Sequence, residues 1–550
     1  MLSKFHKIFD AFTALERQIF QGAALVFAVS LILNGANAFY KKTILAPVEG
    51  GRYTEGAIGQ PITVNPVIAG ANDPDKDIIE ITFSSFLELA KDLKPSADHK
   101  VWTANLKENL LWSDGQPLTG DDVVFTLETI QNPETRSPLF AVWDGVLAEK
   151  LNDSEIRFTL KSPYAFFADN LNDLKIIPKH IWDAIPAANL RLSDYNLEPI
   201  GSGPYAFAGY AKRKDGFINQ YRLKINDYYF GDQPLLRDFR ISFFPNAEEA
   251  IGAFNRKEID GLGGLAAADL KNIKIGYQLH EINIPRYYAV FFNPSTTPSL
   301  KNKEVRQALA LAANHSRMVS EILNGKGLVI DGPIYPGLDG YAGRGTAFDL
   351  ERARELLDKN HWLIDGATGI RSKKIGKDIL MLDFEIVVPQ IEFLTAAAQA
   401  LAADWQAIGV KLKPIILSPA EILNEIIKTR NYQMILFGNI LKNNPDIFSF
   451  WHSSERFHPG LNLALYENKT VDAALESIRR NFDRESRNKD VKKIQAVIVD
   501  DQPAIFLFSP NYLYVGPKDL GGFNERLITS PANRFNAINK WYLKTARVFK

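Results

Sequence analysis

Segments that alternate apolar and polar side chains trade places along this chain with segments of helical period. Glu155–Lys161 alternates cleanly, and Tyr221–Ile225 and Phe239–Phe244 read as further strands. Glu248–Asn255 reads as a short helix, and Lys303–Leu323 spaces Val305, Leu309, Ala312, Val319, Ile322 and Leu323 close to a helical period. Leu350–Lys359 and Leu394–Ile408 are predicted helices, the second stopped by Gly409. Val410–Ile416 and Gln433–Phe437 return to strand. Such mixing predicts α/β lobes rather than a bundle or a sandwich. There is no fixed-period repeat, which argues against solenoids and propellers.

The first 50 residues break the pattern. Lys4, Lys7 and Arg17 lead into an apolar run from Ile19 to Leu33, followed by Asn34-Gly35-Ala36-Asn37-Ala38. One reading is a secretory signal cleaved after Ala38. The other is an uncleaved anchor. Ile19–Leu33 alone spans about 22 Å as a helix, short of the ~30 Å hydrocarbon core, but extension to Tyr40 reaches about 33 Å. Phe39, Tyr40, Lys41 and Lys42 then suit the interface. Both readings place everything after residue 42 outside the cytoplasm. A buried core helix is the third reading, and the basic flank argues against it.

At 550 residues the chain suits two or three packed units. Lys+Arg and Asp+Glu are 64 each, so no charge excess points to nucleic acid or to a solvating tail. The absence of cysteine removes disulfides, thiolate zinc sites, Fe–S clusters and a lipid anchor on cysteine.

Six ordered segments carry more specific information. They are Leu106–Thr126, with Trp112-Ser113-Asp114-Gly115-Gln116-Pro117-Leu118-Thr119 at its centre, Ile177-Pro178-Lys179-His180-Ile181-Trp182, and Pro199-Ile200-Gly201-Ser202-Gly203-Pro204-Tyr205. Asn226-Asp227-Tyr228-Tyr229-Phe230-Gly231, Phe254–Asp260 and Val305–Ala312 follow. Read from physics alone they are mostly structural. Asp114-Gly115 is a turn, Thr119 with Asp122 caps a helix, and Gly201-Ser202-Gly203-Pro204 is a tight loop that lacks the helix of a phosphate cradle. Trp112, Tyr228 and Tyr229 read as core aromatics.

In this order the segments resemble the family 5 extracellular solute-binding proteins, the dipeptide-, oligopeptide- and nickel-binding group that serves ABC importers. The resemblance implies an α/β, two-lobed, class II periplasmic-binding-protein-like fold with an extra domain in the first lobe. Residues 52–83, 176–286 and 509–550 would form lobe I, 84–175 the extra domain, 287–508 lobe II, and 1–51 the signal or anchor with a linker. It also implies two crossings between lobes, matched here by Tyr287–Asn293 and Phe506–Ser509, that act as a hinge. A peptide or similar polar oligomer would be the ligand, with an ABC permease, its ATPase subunits and the membrane as partners. No nucleic acid, cofactor or metal is implied, and a monomer is expected.

The informative departure is Gly438–Asp446. Peptide-binding members of the family typically carry glycine-tryptophan here, with an aspartate three positions after the tryptophan that pairs with the ligand's α-amino group. This chain has Asn439 for the tryptophan and Leu441 or Lys442 for the aspartate. Tyr288, Asn439, Lys442, Asn443, Asn444 and Trp451 are the expected ligand contacts, with Trp451 equally suited to the core.

Catalytic chemistry finds little support in the sequence. His452 and His458 lie six apart, which matches no usual metal spacing, and no nucleophile elbow occurs. Asp73, Asp75 and Asp77 imitate a calcium loop, but Pro74 intrudes and Ile78 stands where glycine is required, so a surface loop is expected. A sensor or adhesion module on the same fold is the rival to a transport component, and a hydrolase is the third reading.

Overall fold

The computed structural model describes residues 12–343, 345 and 347–549. Lys4 and Lys7 of the basic flank lie outside these. Two mixed sheets organise the chain. The first has seven strands in the order Gln278–Ile282, Tyr512–Gly516, Gly261–Gly263, Arg52–Ile58, Asp238–Phe244, Ile218–Ile225 and Tyr205–Lys212. The second has six, in the order Gly327–Val329, Ala504–Pro510, Arg286–Phe292, Met434–Ile440, Asp383–Pro389 and Lys411–Leu417. A four-stranded antiparallel sheet of Ala90–Pro95, Val101–Leu106, Glu155–Thr159 and Leu147–Lys150 shares one core with the first sheet, through residues such as Trp102, Ile156, Phe158 and Phe167. The fold is two-lobed and α/β.

Strand Arg286–Phe292 shows why the second lobe is stable. Its run of apolar residues is buried on both faces, as a central strand requires. Tyr287, Ala289 and Phe291 enter one core with Ile435 and Phe506, whereas Val290 and Phe292 enter another with Met434 and Leu436. The alternation follows the two-residue period of a strand.

The crossings differ from expectation. Tyr287–Asn293 and Phe506–Ser509 lie almost wholly within strands of the second sheet. The chain passes between sheets at Asn283–Pro285 and at Asn511. The two passages touch: Ser509 Oγ donates to the Ile284 carbonyl at 3.4 Å, and Arg286 Nη2 donates to the Pro510 carbonyl at 3.2 Å.

Three local expectations need correction. Lys303–Leu323 is not one helix: it stops at Leu311 and restarts at His315, where the Asn314 side chain accepts from the Arg317 amide. An asparagine cap competes with helix continuation at that point. Asp73–Asp77 opens helix Asp73–Thr82 instead of forming a surface loop. Asp75 accepts from the Ile62 and Thr63 amides, and Asp77 is buried against Arg534. Tyr228 is 46% exposed and packs over Gly115, unlike the fully buried Trp112. The Thr119–Asp122 capping box does form, at the start of helix Gly120–Gln131. Gly201 is required by close approach: a Cβ there would stand 1.9 Å from the Thr82 carbonyl oxygen.

Helix Ala14–Lys42 has no buried residue, which removes the core-helix reading. It runs unbroken into strand Thr43–Pro47, which pairs antiparallel with Thr545–Phe549.

Lobe I is held together by a buried charge cluster. Arg534 contacts Asp77 through two nitrogens at 2.8 and 2.7 Å and Glu55 at 2.9 Å, and Tyr514 donates to Glu55 at 2.8 Å. These residues come from strand Arg52–Ile58, helix Asp73–Thr82, strand Tyr512–Gly516 and the turn Pro531–Phe535. Burial outweighs the guanidinium and pushes the Glu55 carboxyl up to about 7, and it raises Asp77 as well. Removing one member of such a cluster leaves uncompensated buried charge. Arg534→Met should therefore lower stability by about 3–5 kcal/mol at neutral pH. Both carboxyls then rise further, and the folded state holds protons that the unfolded chain has released, so stability falls as pH rises. Chemical denaturation should show the loss shrinking as pH is lowered from about 7 to about 5. A loss independent of pH would remove the carboxyls as its cause.

Candidate functional site

The stretch singled out by the sequence lies where the two lobes meet. Strand Met434–Ile440 sits beside the crossing strand Arg286–Phe292, and its continuation is tied to the crossing itself: the Leu441 amide donates to the Pro285 carbonyl at 2.7 Å. Leu441 is buried in the lobe II core. Lys442 then points across to the other lobe. Its ammonium donates to Asn170 Oδ1 at 2.8 Å and pairs with Asp173 at 2.9 Å, and both side chains of the pair are about half exposed, 43% and 52%. An ion pair this exposed contributes about 0–1 kcal/mol.

The neighbouring residues continue the seam. Asn444 Nδ2 donates to Asp169 Oδ2 at 2.7 Å. Burial raises the Asp169 carboxyl, offset in part by that bond. Asp446, whose side chain is only 8% exposed, accepts from Tyr164 Oη at 2.7 Å and from Arg479 Nε at 2.9 Å. The Ala165 amide donates to the Arg479 carbonyl at 2.7 Å. Phe482 closes one side, stacked on His99 with ring centroids 3.7 Å apart, and the Arg487 guanidinium lies 5.5 Å from the Phe166 ring centroid. Burial and the Asp446 charge raise the Tyr164 phenol far above its ordinary range. It therefore remains a donor to Asp446 at any ordinary pH.

The predicted site residues separate into two groups. Lys442 and Asn444 reach the seam. Asn443 is exposed beside them. Asn439 and Trp451 are buried and turn inward, where both donate to Tyr287 Oη, at 2.9 and 3.1 Å. They form a hydrogen-bonded unit inside lobe II. Tyr288, half-buried, packs edge-on to Phe393 at 5.2 Å and near Phe508 at 6.0 Å.

Sequence reasoning missed the lobe I side entirely. Asp169, Asn170 and Asp173 share one face of helix Phe167–Asp173, because residues three and four apart are neighbours on a helix. That spacing was readable in Phe-Ala-Asp-Asn-Leu-Asn-Asp, although its partner some 270 residues away was not. Among the described residues no group of three or more histidines, cysteines or carboxylates could hold a metal. The arrangement offers charged and amide groups that can exchange each other for the polar groups of a captured molecule.

Comparison with known proteins gives the family and the fold. Residues 87–457 match the family described as bacterial extracellular solute-binding proteins, family 5 Middle. The oligopeptide-binding protein AppA of Bacillus subtilis is 27% identical over 529 residues, covering 92% of this chain and 94% of its own. The structure of B. subtilis AppA in complex with a nonapeptide superposes with a TM-score of 0.72 at 26% identity, over 91% of this chain and 100% of the other. The substrate-binding protein CtaP of Listeria monocytogenes has the same fold, with a TM-score of 0.77 at 24% identity over 90% and 99%. The chain belongs to the bacterial extracellular solute-binding proteins of family 5.

Proposed function

We propose that this chain captures a peptide or similar polar oligomer between its two lobes and delivers it to the permease of an ABC importer, from the outer face of the membrane. The observation that carries the reading is the seam itself. Lys442, Asn444 and Asp446 lie in the stretch that the family resemblance marks for ligand contact, and they meet side chains of the opposite lobe. A molecule entering there touches both lobes, so binding favours the closed arrangement.

Lys442 also bears on specificity. Its ammonium already sits on Asp173 and Asn170, the groups best suited to receive a ligand's ammonium. A free α-amino group must displace it, whereas a blocked amino end or a hydroxyl-rich group need not. Lys442→Met frees Asp173 and Asn170. Calorimetry with matched free and N-acetylated peptides should show little preference, or preference for the acetylated form, in the native chain. In Lys442→Met, affinity for free-amine peptides should rise about two- to fivefold, the size of a half-exposed ion pair. If the native chain prefers free amines and Lys442→Met changes nothing, Lys442 plays no part in capture.

Closure should hinge at Asn283–Pro285 and Asn511. Saturating ligand is expected to shift solution scattering towards the compact form or to stabilise it against opening. An Asp446→Ala chain, which loses the Tyr164 and Arg479 bonds, should be more open without ligand. Identical scattering from both chains with and without ligand would count against hinged capture.

The same reading keeps helix Ala14–Lys42 as an uncleaved anchor. Mature protein should fractionate with membranes and retain Met1 or Leu2. Secreted material that begins at Phe39 would sink the anchor and leave export intact.

A further inference from the structure

Helix Ala14–Lys42 is long and apolar enough to cross a membrane, and none of it is buried. Ile19 to Tyr40 covers about 33 Å, close to the ~30 Å hydrocarbon thickness. That places Phe39 and Tyr40 at the boundary and Lys41 and Lys42 among the headgroups.

The paired strands that follow are fixed to this level. Thr43 continues the helix without a linker and lies opposite Phe549. The Phe549 ring packs edge-on to Phe39 with centroids 6.0 Å apart, one turn inside the helix end. The Arg547 guanidinium lies 3.9 Å from the Tyr40 ring centroid, and its Nη1 donates to Thr43 Oγ1 at 3.2 Å. The depth of Phe39 and Tyr40 therefore sets the depth of Arg547 and Phe549. The ribbon's apolar side chains face outward: Leu45 is 61% and Phe549 73% exposed, and Ile44 and Val548 are exposed as well. No acidic residue occurs in 39–47 or 545–549, and Lys41, Lys42 and Arg547 supply positive charge.

We propose that strands Thr43–Pro47 and Thr545–Phe549 form an interfacial foot that lies in the headgroup layer of an anionic lipid membrane around the exit of the helix. The proposal rests on the anchor reading. Aromatic and aliphatic side chains flanked by cations are the composition that such an interface favours, and exposed apolar strands free in water invite aggregation. Unlike a flexible tether, the foot is bonded into lobe I: the Val48 amide donates to the Lys544 carbonyl at 3.0 Å, the Gly50 amide donates to the Leu235 carbonyl at 2.7 Å, and Arg237 pairs with Glu49. Lobe I is thereby held against the membrane in a set orientation.

The chain has no cysteine, so single cysteines can report on it directly. Full-length Phe549→Cys and Leu45→Cys chains would be reconstituted in vesicles of phosphatidylethanolamine and phosphatidylglycerol and treated with a water-soluble maleimide. Leu192→Cys, at an 81% exposed position in lobe I, is the control. Both foot cysteines should react about tenfold more slowly than the control. Protection should weaken in phosphatidylcholine vesicles and in a Lys41→Gln/Lys42→Gln background, which leaves the ribbon's packing intact. If the protein survives an alkaline carbonate wash but both cysteines react as fast as the control, the foot is overturned and the anchor stands. Release by the wash overturns both. Protection that appears only when a permease is reconstituted alongside makes the partner a protein and overturns the lipid assignment.

Discussion

The structure depends on the described chain passing between its two mixed sheets only twice, at points bonded to each other. The passages Asn283–Pro285 and Asn511 are short and joined by the Ser509–Ile284 and Arg286–Pro510 hydrogen bonds. Large relative motion is confined there, since the strands on either side are held in ladders with only one bulge, at Tyr288–Ala289. The Leu441–Pro285 bond adds a second consequence, because the residue just before Lys442 is fastened to the hinge. Bending at the crossings moves Lys442, Asn444 and Asp446 towards or away from helix Phe167–Asp173. On the other side, the Arg534 cluster ties the chain after the second crossing to the opening strand and helix of lobe I. Each lobe can therefore move as a unit.

The chemistry of the seam suits a contact that must open. An apolar interface of this kind would expose its surface to water whenever the lobes part, at about 25 cal/mol per Å². Charged and amide groups lose less, because water replaces each partner. Lys442 with Asp173 is the exchangeable extreme, half exposed and easily screened. Asp446 is the fixed extreme. Its buried carboxylate keeps Arg479, on its own lobe, whether or not Tyr164 is present, so opening does not strand a bare charge. The apolar share is small and local, with Phe482 stacked on His99 and near Trp102.

The regular elements were legible because each carries its own period. Helix Leu350–Lys359 forms within the predicted bounds, and the predicted strands Tyr221–Ile225 and Phe239–Phe244 form slightly longer. The break at Asn314 is a local cap, but most polar side chains read differently in the fold because their partners are remote in sequence. Asp75 and Asp77 resemble a loop until residues 62, 63 and 534 arrive to bond them. Asn439 and Trp451 both donate to Tyr287, which places Trp451 in the core position the sequence also allowed. Lys442 resembles an unopposed charge until Asp173 supplies the opposite one from a short helix in another domain. Local pattern reports which face of an element is apolar, but tertiary pairing decides what a polar residue does.

That distinction also assigns the moving part. Lobe I carries the ribbon of Thr43–Pro47 and Thr545–Phe549, the helix before it and the Arg534 cluster, whereas lobe II joins the rest through the two crossings, the Lys326–Glu281 ion pair beside them and the seam. With the helix in a membrane, lobe I is the stationary partner and lobe II swings. The acids Asp169 and Asp173 then stay at a constant height above the bilayer, and Lys442 and Asn444 come down to meet them with or without a ligand between. A permease that touches both lobes can distinguish those states by the position of lobe II alone, because lobe I presents the same surface in each. On the proposed reading, the anchor, the hinge and the polar seam act in complement: the anchor would fix a reference, the hinge would guide the bend, and the seam would make the end point of that bend depend on what has been captured.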